Sequence, residues 1–256
     1  MIIFIVPAYN EEKNILTLLN KTSKHMRQEN ISFRVIVVND GSTDRTAQLA
    51  ESLRPNMPVE VLSHYPNKGV GEAFRVGFSR ALEICKDDDI IITKEADNTS
   101  DLSILNNLIA KINHSFDLVL ASCYAKEGAV LGTTFLRLIL SKAANALIQL
   151  LFPLKNINTY SSFYRAYRAS ALREMHNIYG NRLIEENGFE CMVELLVKFS
   201  RNTKFKITEV PMILNGNRRQ GKSKMRVLRT MRGFLKVMIK EGIIKGSTKN
   251  KCLLRK

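Results

Sequence analysis

The 256-residue chain has only four cysteines, Cys85, Cys123, Cys191 and Cys252, far apart and without a CxxC pair. That spacing argues against a zinc site or a disulfide framework and fits a reducing, cytoplasmic compartment. Its four histidines are scattered and form no HExxH, and no GxSxG is present to mark a hydrolase nucleophile. NKGVGEAFRVG (67–77) contains GxG but lacks the GxGxxG that would directly follow a first strand, so a dinucleotide fold gains little support. GKS at 221–223 lacks the upstream glycine and strand of a P-loop. The opening MIIFIVPAYNEE has no basic n-region and reads as a first buried strand, not a secretory signal.

Acidic residues are nearly missing from one end. Residues 216–256 hold 14 Lys or Arg against a single acid, Glu241, which gives +13 of the chain's formal +15. Such a segment suits an anionic partner, a nucleic acid or an anionic membrane surface, or else simply solubilises the chain. No RNA-recognition, zinc-finger or helix-turn-helix signature accompanies it, so nucleic acid is not expected.

What is present is a regular alternation. IIFIV (2–6), RVIVVND (34–40), PVEVLSH (58–64), DIIITKEAD (89–97) and FDLVLAS (116–122) read as strands, with helical stretches between them. Continuous apolar runs of this kind belong to strands covered on both faces, and the alternation predicts an α/β fold with a largely parallel sheet. Ligands of such sheets collect at the carboxyl ends of the strands. Four polar clusters fall there: Pro7–Glu11, Asn39–Asp44, Asn67–Gly69 and Glu95–Asp97.

These clusters suit a nucleotide diphosphate. Asp97, with Glu95 two residues before it, can hold a divalent metal that neutralises a diphosphate, because alternate residues of an extended chain face the same side. Asp40 can accept a hydrogen bond from a base N–H or a ribose hydroxyl, Tyr9 can stack on the base, and Glu11 can reach the ribose or base. Asp44 reads as a helix cap. Residues 135–152 are different: 13 of 18 are apolar, and Arg137, Ser141, Asn145 and Gln149 recur every four residues as one polar stripe. That pattern is too regularly polar for a membrane span and fits either a core helix or a helix lying in a membrane interface.

At these residues the chain resembles glycosyltransferase family 2, and within it the dolichyl- and polyprenyl-phosphate mannose or glucose synthases. The matching pieces run from VPAYNEEKNI (6–15) and VIVVNDGSTDRT (35–46) through EADNTSDL (95–102) and SSFYRAYRASAL (161–172) to RRQGKSKM (218–225). The resemblance implies a GT-A fold over 1–215, with amphipathic helices at 130–155, followed by a basic phosphate-binding loop and helical tail over 216–256. It implies metal-dependent transfer of one sugar, with inversion, from a GDP-mannose or UDP-glucose type donor to a polyprenyl phosphate. Pro7, Tyr9, Glu11 and Asp40 would surround the nucleoside, and Asp97, helped by Glu95, would bind Mg2+ or Mn2+. Arg218 and Lys224 would contact phosphate, and Arg165 would shape the site near the acceptor. An already ionised acceptor phosphate would need no strong general base. Two departures stand out: Glu95-Ala96-Asp97 replaces the usual Asp-x-Asp, and Thr159 stands where an acid is common. A soluble or protein-linked acceptor is the alternative, and an inactive scaffold a further one.

The tail adds an expectation of its own. On a helical wheel of 226–240, Arg226, Arg229, Arg232, Lys236 and Lys240 share one side, while Leu228, Met231, Phe234, Leu235, Met238 and Ile239 lie opposite. Unopposed cations of this kind predict peripheral contact with the cytoplasmic face of an anionic membrane.

Overall fold

The computed structural model describes residues 1–221, 224 and 227–253. Its first half is built from β1 (Ile2–Ala8), α1 (Ile15–Gln28), β2 (Phe33–Asp40), α2 (Thr46–Glu51), β3 (Val59–His64), α3 (Val70–Ile84) and β4 (Ile90–Thr93). There follow α4 (Leu105–Asn113), β5 (Leu118–Ser122), β6 (Ala129–Leu131), α5 (Phe135–Leu151), β7 (Arg165–Arg168) and α6 (Ala169–Tyr179). The chain closes with α7 (Cys191–Arg201), β8 (Ile207–Pro211), β9 (Ile213–Asn215) and α8 (Val227–Leu253).

Seven strands form one sheet in the order β3-β2-β1-β4-β7-β5-β8. Only β7 runs antiparallel to its neighbours, and β6 pairs with β9 in a small parallel ribbon. The five strands expected from sequence are all present. Helices cover both faces, which is why the strand sequences are apolar without alternation. Ile3, Ile5, Ile36 and Val38 pack toward Phe74 and Phe78 of α3, while Phe4, Val6, Val35 and Val37 pack with Ile15, Leu18 and Leu19 of α1. Together these features make the mixed, mostly parallel sheet flanked by helices of a GT-A core.

Two sequence expectations change. The strand read as 89–97 ends at Thr93, so Glu95 and Asp97 sit in the turn beyond β4. Their common outlook survives because Lys94 and Ala96, which alternate with them, remain buried. The second change concerns α5, which is neither a core helix nor polar side out. Its polar stripe faces the protein: Tyr124 Oη donates to Ser141, Asn145 donates to Asn158 O and accepts from Tyr160 N, and Gln149 donates to Ile157 O. Ile148 joins the core, whereas Phe135, Leu136, Ile139, Leu147, Leu150 and Leu151 are exposed.

Buried charge ties α7 and α8 to the loop 184–190. Glu194 is fully buried on α7; it accepts the backbone N–H of Glu185 and Glu186 and pairs with Lys198 at 2.7 Å, itself almost fully buried. Removing one member of such a pair leaves an uncompensated charge, at a cost of about 3–5 kcal/mol. Glu194→Ala is therefore expected to lower the thermal midpoint markedly, while Glu185→Ala, on the half-exposed side of the same cluster, lowers it much less. Equal midpoints for the two variants would contradict this account.

Candidate active site

The carboxyl ends of β1, β2 and β4 open into a cleft of about 850 Å3. Pro7, Tyr9, Glu11, Asp40, Glu95, Asp97 and Lys224 all line it, so residues more than 200 positions apart in sequence meet there. Arg165 and Arg218 do not.

Each lining residue has an identifiable anchor. Asp40, at the end of β2, is buried and accepts from His64 Nε2 at 2.7 Å, Asn67 Nδ2 and Lys68 N at 2.8 Å, and Gly69 N at 3.0 Å. An ionised carboxylate has about four acceptor positions, so these donors already occupy them. Asp40 therefore fixes the 67–69 loop and the start of α3 as well as lining the cleft. Gly41 makes the approach possible: its φ is +68°, and a Cβ there would lie 2.5 Å from Asn67 N. Asp44 accepts from Thr46 N at 2.9 Å, the capping contact expected at the start of α2.

Asp97 accepts from Thr99 N at 3.0 Å and Thr99 Oγ1 at 2.7 Å on one oxygen. Its other oxygen is gripped by the Arg219 guanidinium, with Nε at 2.9 Å. Glu95 accepts from Ser100 Oγ at 3.0 Å. Burial raises the Glu95 pKa, with the Asp97 charge adding and Lys94 opposing. Burial likewise raises Glu11, against the pull of Asn14 and Lys224. Lys94, fully buried under the turn and donating to Ser100 O at 2.7 Å, is pushed down to about 8 by desolvation against the nearby acids. The turn is thus an acidic patch that a cation would relieve.

That chemistry is compatible with a hard divalent ion. Asp97 and Glu95 offer oxygen ligands, and Asp97 is already matched to a cation in the form of Arg219. Among the described residues no three His, Cys, Asp or Glu side chains lie close enough to hold a metal by themselves. Further ligands would come from donor phosphate oxygens and water.

Of the adjacent Arg218 and Arg219, it is Arg219 and not the expected Arg218 that lines the cleft. Arg218 turns away to pair with Asp101, and Arg219 faces Asp97. Lys224 reaches the rim and donates to Asn10 O at 2.8 Å. Arg165 is fully buried and donates to the carbonyls of Ser162 at 2.7 Å and Tyr160 at 2.8 Å. It shapes the cleft only indirectly, by holding Thr159, Ser161, Ser162 and Phe163 in its wall. Phe163 stacks on Phe189 with ring centroids 5.3 Å apart, an apolar wall facing the charged one.

Three cleft residues escaped the sequence reading. Arg137 on α5 lies beside Arg219, whose charge joins burial in lowering the Arg137 pKa. Glu190, just before α7, and Arg229 on α8 also line the cleft. A fourth, Asn14, acts from behind: it is buried, donates to Glu11 Oε2 at 2.7 Å and Gln220 O at 2.9 Å, and accepts from Gln220 N at 2.9 Å. It thereby clips the basic loop onto the donor wall. Two lost backbone hydrogen bonds of about 1 kcal/mol each would loosen that loop. Asn14→Ala is expected to raise the donor KM about tenfold with a smaller change in kcat; steady-state kinetics decides, and an unchanged KM would refute the clip.

A cleft with acidic and basic residues at the carboxyl ends of a mostly parallel sheet is the ligand site of an α/β fold. The chain belongs to Glycosyl transferase family 2, whose profile matches residues 3–175. It is 27% identical over 244 residues to a dolichol-phosphate mannosyltransferase of Pyrococcus furiosus, covering 94% of this chain and 64% of that protein. It is 29% identical to a polyprenol monophosphomannose synthase of Mycolicibacterium smegmatis, covering 86% and 79% respectively. Among solved structures it shares the fold of Mycobacterium tuberculosis glucosyl-3-phosphoglycerate synthase, solved with Mn2+, UDP-glucose and phosphoglyceric acid, at a TM-score of 0.66 and 19% identity. That match covers 94% of this chain and 79% of that one. Mannosyl-3-phosphoglycerate synthase from Rubrobacter xylanophilus matches at a TM-score of 0.70 and 16% identity, covering 96% and 75%.

These findings correct the expected acceptor and surroundings. The solved glucosyl-3-phosphoglycerate synthase holds phosphoglyceric acid, a soluble acid, in place of a polyprenyl phosphate. The expected membrane contact fares no better. Lys236 of α8 pairs with Glu186 at 2.8 Å and Lys240 with Glu185 at 2.8 Å, while Phe234 and Met238 are buried against the domain. Arg226 and the side chain of Leu228 lie outside the described residues. No helix among the described residues is long and apolar enough to cross a membrane. A polyprenyl-phosphate acceptor and a peripheral membrane location are therefore set aside.

Proposed function

We propose that the protein transfers one sugar from a nucleotide diphosphate donor to a hydroxyl of a soluble, anionic acceptor. The observation that carries this reading is the pairing of an acidic turn with a cationic wall in one cleft. Glu95 and Asp97 share a space of about 850 Å3 with Arg137, Arg219, Lys224 and Arg229. Pro7, Tyr9, Glu11 and the Asp40-held loop enclose the nucleoside, and Asp97 with Glu95 holds Mg2+ or Mn2+. The metal supplies charge neutralisation of the departing diphosphate. Arg219, which pairs with Asp97 in this structure, and Lys224 would pair with donor phosphate. Arg137 and Arg229 face the acceptor's phosphate or carboxylate. In this proposal residues 1–215 form the catalytic domain and 216–256 its basic loop and tail.

A hydroxyl acceptor, unlike a phosphate, must lose a proton as it attacks. Among the cleft carboxylates, Asp40 is saturated by donors and Glu11, Glu95 and Asp97 belong to the donor side. Glu190 also lines the cleft, and no side chain among the described residues pairs with it. It takes the proton as the acceptor oxygen bonds to the anomeric carbon and the bond from that carbon to the diphosphate oxygen breaks. Direct displacement of this kind inverts the anomeric configuration.

The test is a lipid-free transfer assay pairing UDP-glucose and GDP-mannose with phosphorylated and carboxylated small hydroxy acids, with and without Mn2+. Metal-dependent transfer to one such acid, giving the inverted anomer, is the expected result. Transfer to a neutral acceptor with equal efficiency would overturn the anionic part of the reading. Calorimetry showing no donor binding in metal would overturn the whole.

A further inference from the structure

An α-helix on a protein surface ordinarily turns its apolar stripe inward and its polar face to water. Helix α5 departs from this: of its large apolar side chains only Ile148 is buried in the core. Ser141, Asn145 and Gln149 are bonded to the protein, while Phe135 (78% exposed), Leu136 (67%), Ile139 (46%), Leu147 (41%), Leu150 (77%) and Leu151 (46%) face outward. Six large apolar side chains on one helical face are a contiguous patch, which monomeric proteins rarely leave uncovered.

The order of these residues indicates what covers them. Phe135 and Leu151, Leu136 and Leu150, and Ile139 and Leu147 are three pairs, each symmetric about position 143. That position is Ala143, exposed like Ala146 one turn on. A two-fold contact requires a surface to be complementary to itself, each residue meeting its counterpart across the axis. Two antiparallel α5 helices crossing at Ala143 satisfy this: small residues let the backbones approach at the axis, and the bulky residues of one N-terminal half meet those of the other C-terminal half. The exposed apolar surface is on the order of 600 Å2 per copy, close to the roughly 800 Å2 per partner of a standard interface.

We propose that α5 is a homodimer interface, with two copies of this chain packed antiparallel about Ala143. The only charged residue on the outer part of the helix near the axis is Lys142, which is exposed. Its copies repel across the seam, so added salt tightens the dimer by screening them. Attraction of the same cationic helix to anionic lipid would weaken with salt, and the sign of the salt effect tells the two apart.

The experiment is sedimentation equilibrium of the full-length protein between low and high salt. A dimer with a dissociation constant on the order of micromolar, tighter in high salt, is expected. Ala143→Glu puts two like charges on the axis and is expected to weaken dimerisation at least tenfold, with unchanged circular dichroism and donor binding showing that the monomer is intact. Ala143→Cys in a Cys252→Ser background is expected to cross-link to itself on oxidation, whereas Ile139→Cys cross-links only when mixed with Leu147→Cys. A monomer at every salt concentration would overturn the proposal. So would equal cross-linking at all these positions, or a protein that dimerises no better than Ala143→Glu yet binds phosphatidylglycerol vesicles at low salt, which would assign the face to lipid.

Discussion

Asp97→Asn is expected to reduce transfer by about 10²–10³-fold, the loss typical of removing one electrostatic stabiliser of a developing charge, with no loss of fold. The geometry explains why the fold should survive. The oxygen held by Thr99 N and Oγ1 can be retained by the amide carbonyl, so the turn keeps its Asx-like contact. What disappears is the negative charge shared with Arg219 and required by the metal. The variant should therefore lose the metal enhancement of donor binding measured by calorimetry, and excess chelator should reduce the wild-type protein to the same level. Near-normal activity in the variant, or activity indifferent to chelator, would remove Asp97 from the role proposed for it. Glu95→Asp, which shortens the side chain but keeps the charge, should cost much less.

Glu190→Gln is the second large effect. Loss of a general base typically costs about 10²–10⁴-fold in kcat, and the donor KM should change little because Glu190 is not on the donor wall. The pH profile carries the sharper test. Burial, reinforced by Glu186, raises the Glu190 pKa above the ordinary 4.5; its own and Gly188's backbone groups and the charge of Arg229 oppose the shift. A base must be ionised, so kcat/KM should fall as pH drops through this raised value, with the acidic limb above that of an ordinary glutamate. The glutamine variant should lack that limb. A carboxyl whose pKa is raised on folding stabilises the protein only below its unfolded pKa, and that contribution is lost as pH rises. At neutral pH the variant should therefore be at least as thermostable as the parent. Lost activity with raised or equal stability separates a catalytic group from a structural one, and a variant that is both inactive and unstable would leave Glu190 a packing residue of the α7 start.

Much of the fold was legible because parallel strands buried on both faces leave an unmistakable trace. IIFIV, VIVV and LVLAS have no polar alternation, and the polar residues that follow the first two mark the sheet edge where ligands sit. Pro7, Tyr9, Glu11, Asp40, Glu95 and Asp97 could be picked out for that reason, and all six line the cleft. β7 and β8 were hidden because their sequences, RAYR and ITEVP, are short and mixed in polarity.

The sequence alone marked the cleft residues that follow the first, second and fourth strands, since a buried strand and the polar cluster after it are both local patterns. Tertiary structure decided the rest. Arg218 and Arg219 are adjacent and chemically equal, and only the path of the loop clipped by Asn14 turns one toward Asp101 and the other toward Asp97. Arg137 on α5 and Glu190 at the entry to α7 are placed by long-range packing of those helices, so no spacing in the chain announces them. The polar stripe of α5 was visible in sequence, but a periodicity fixes only that a helix has two faces. Which face turns inward depends on whether Asn145, Ser141 and Gln149 find partners there, and those partners lie in segments that only the folded chain brings beneath them.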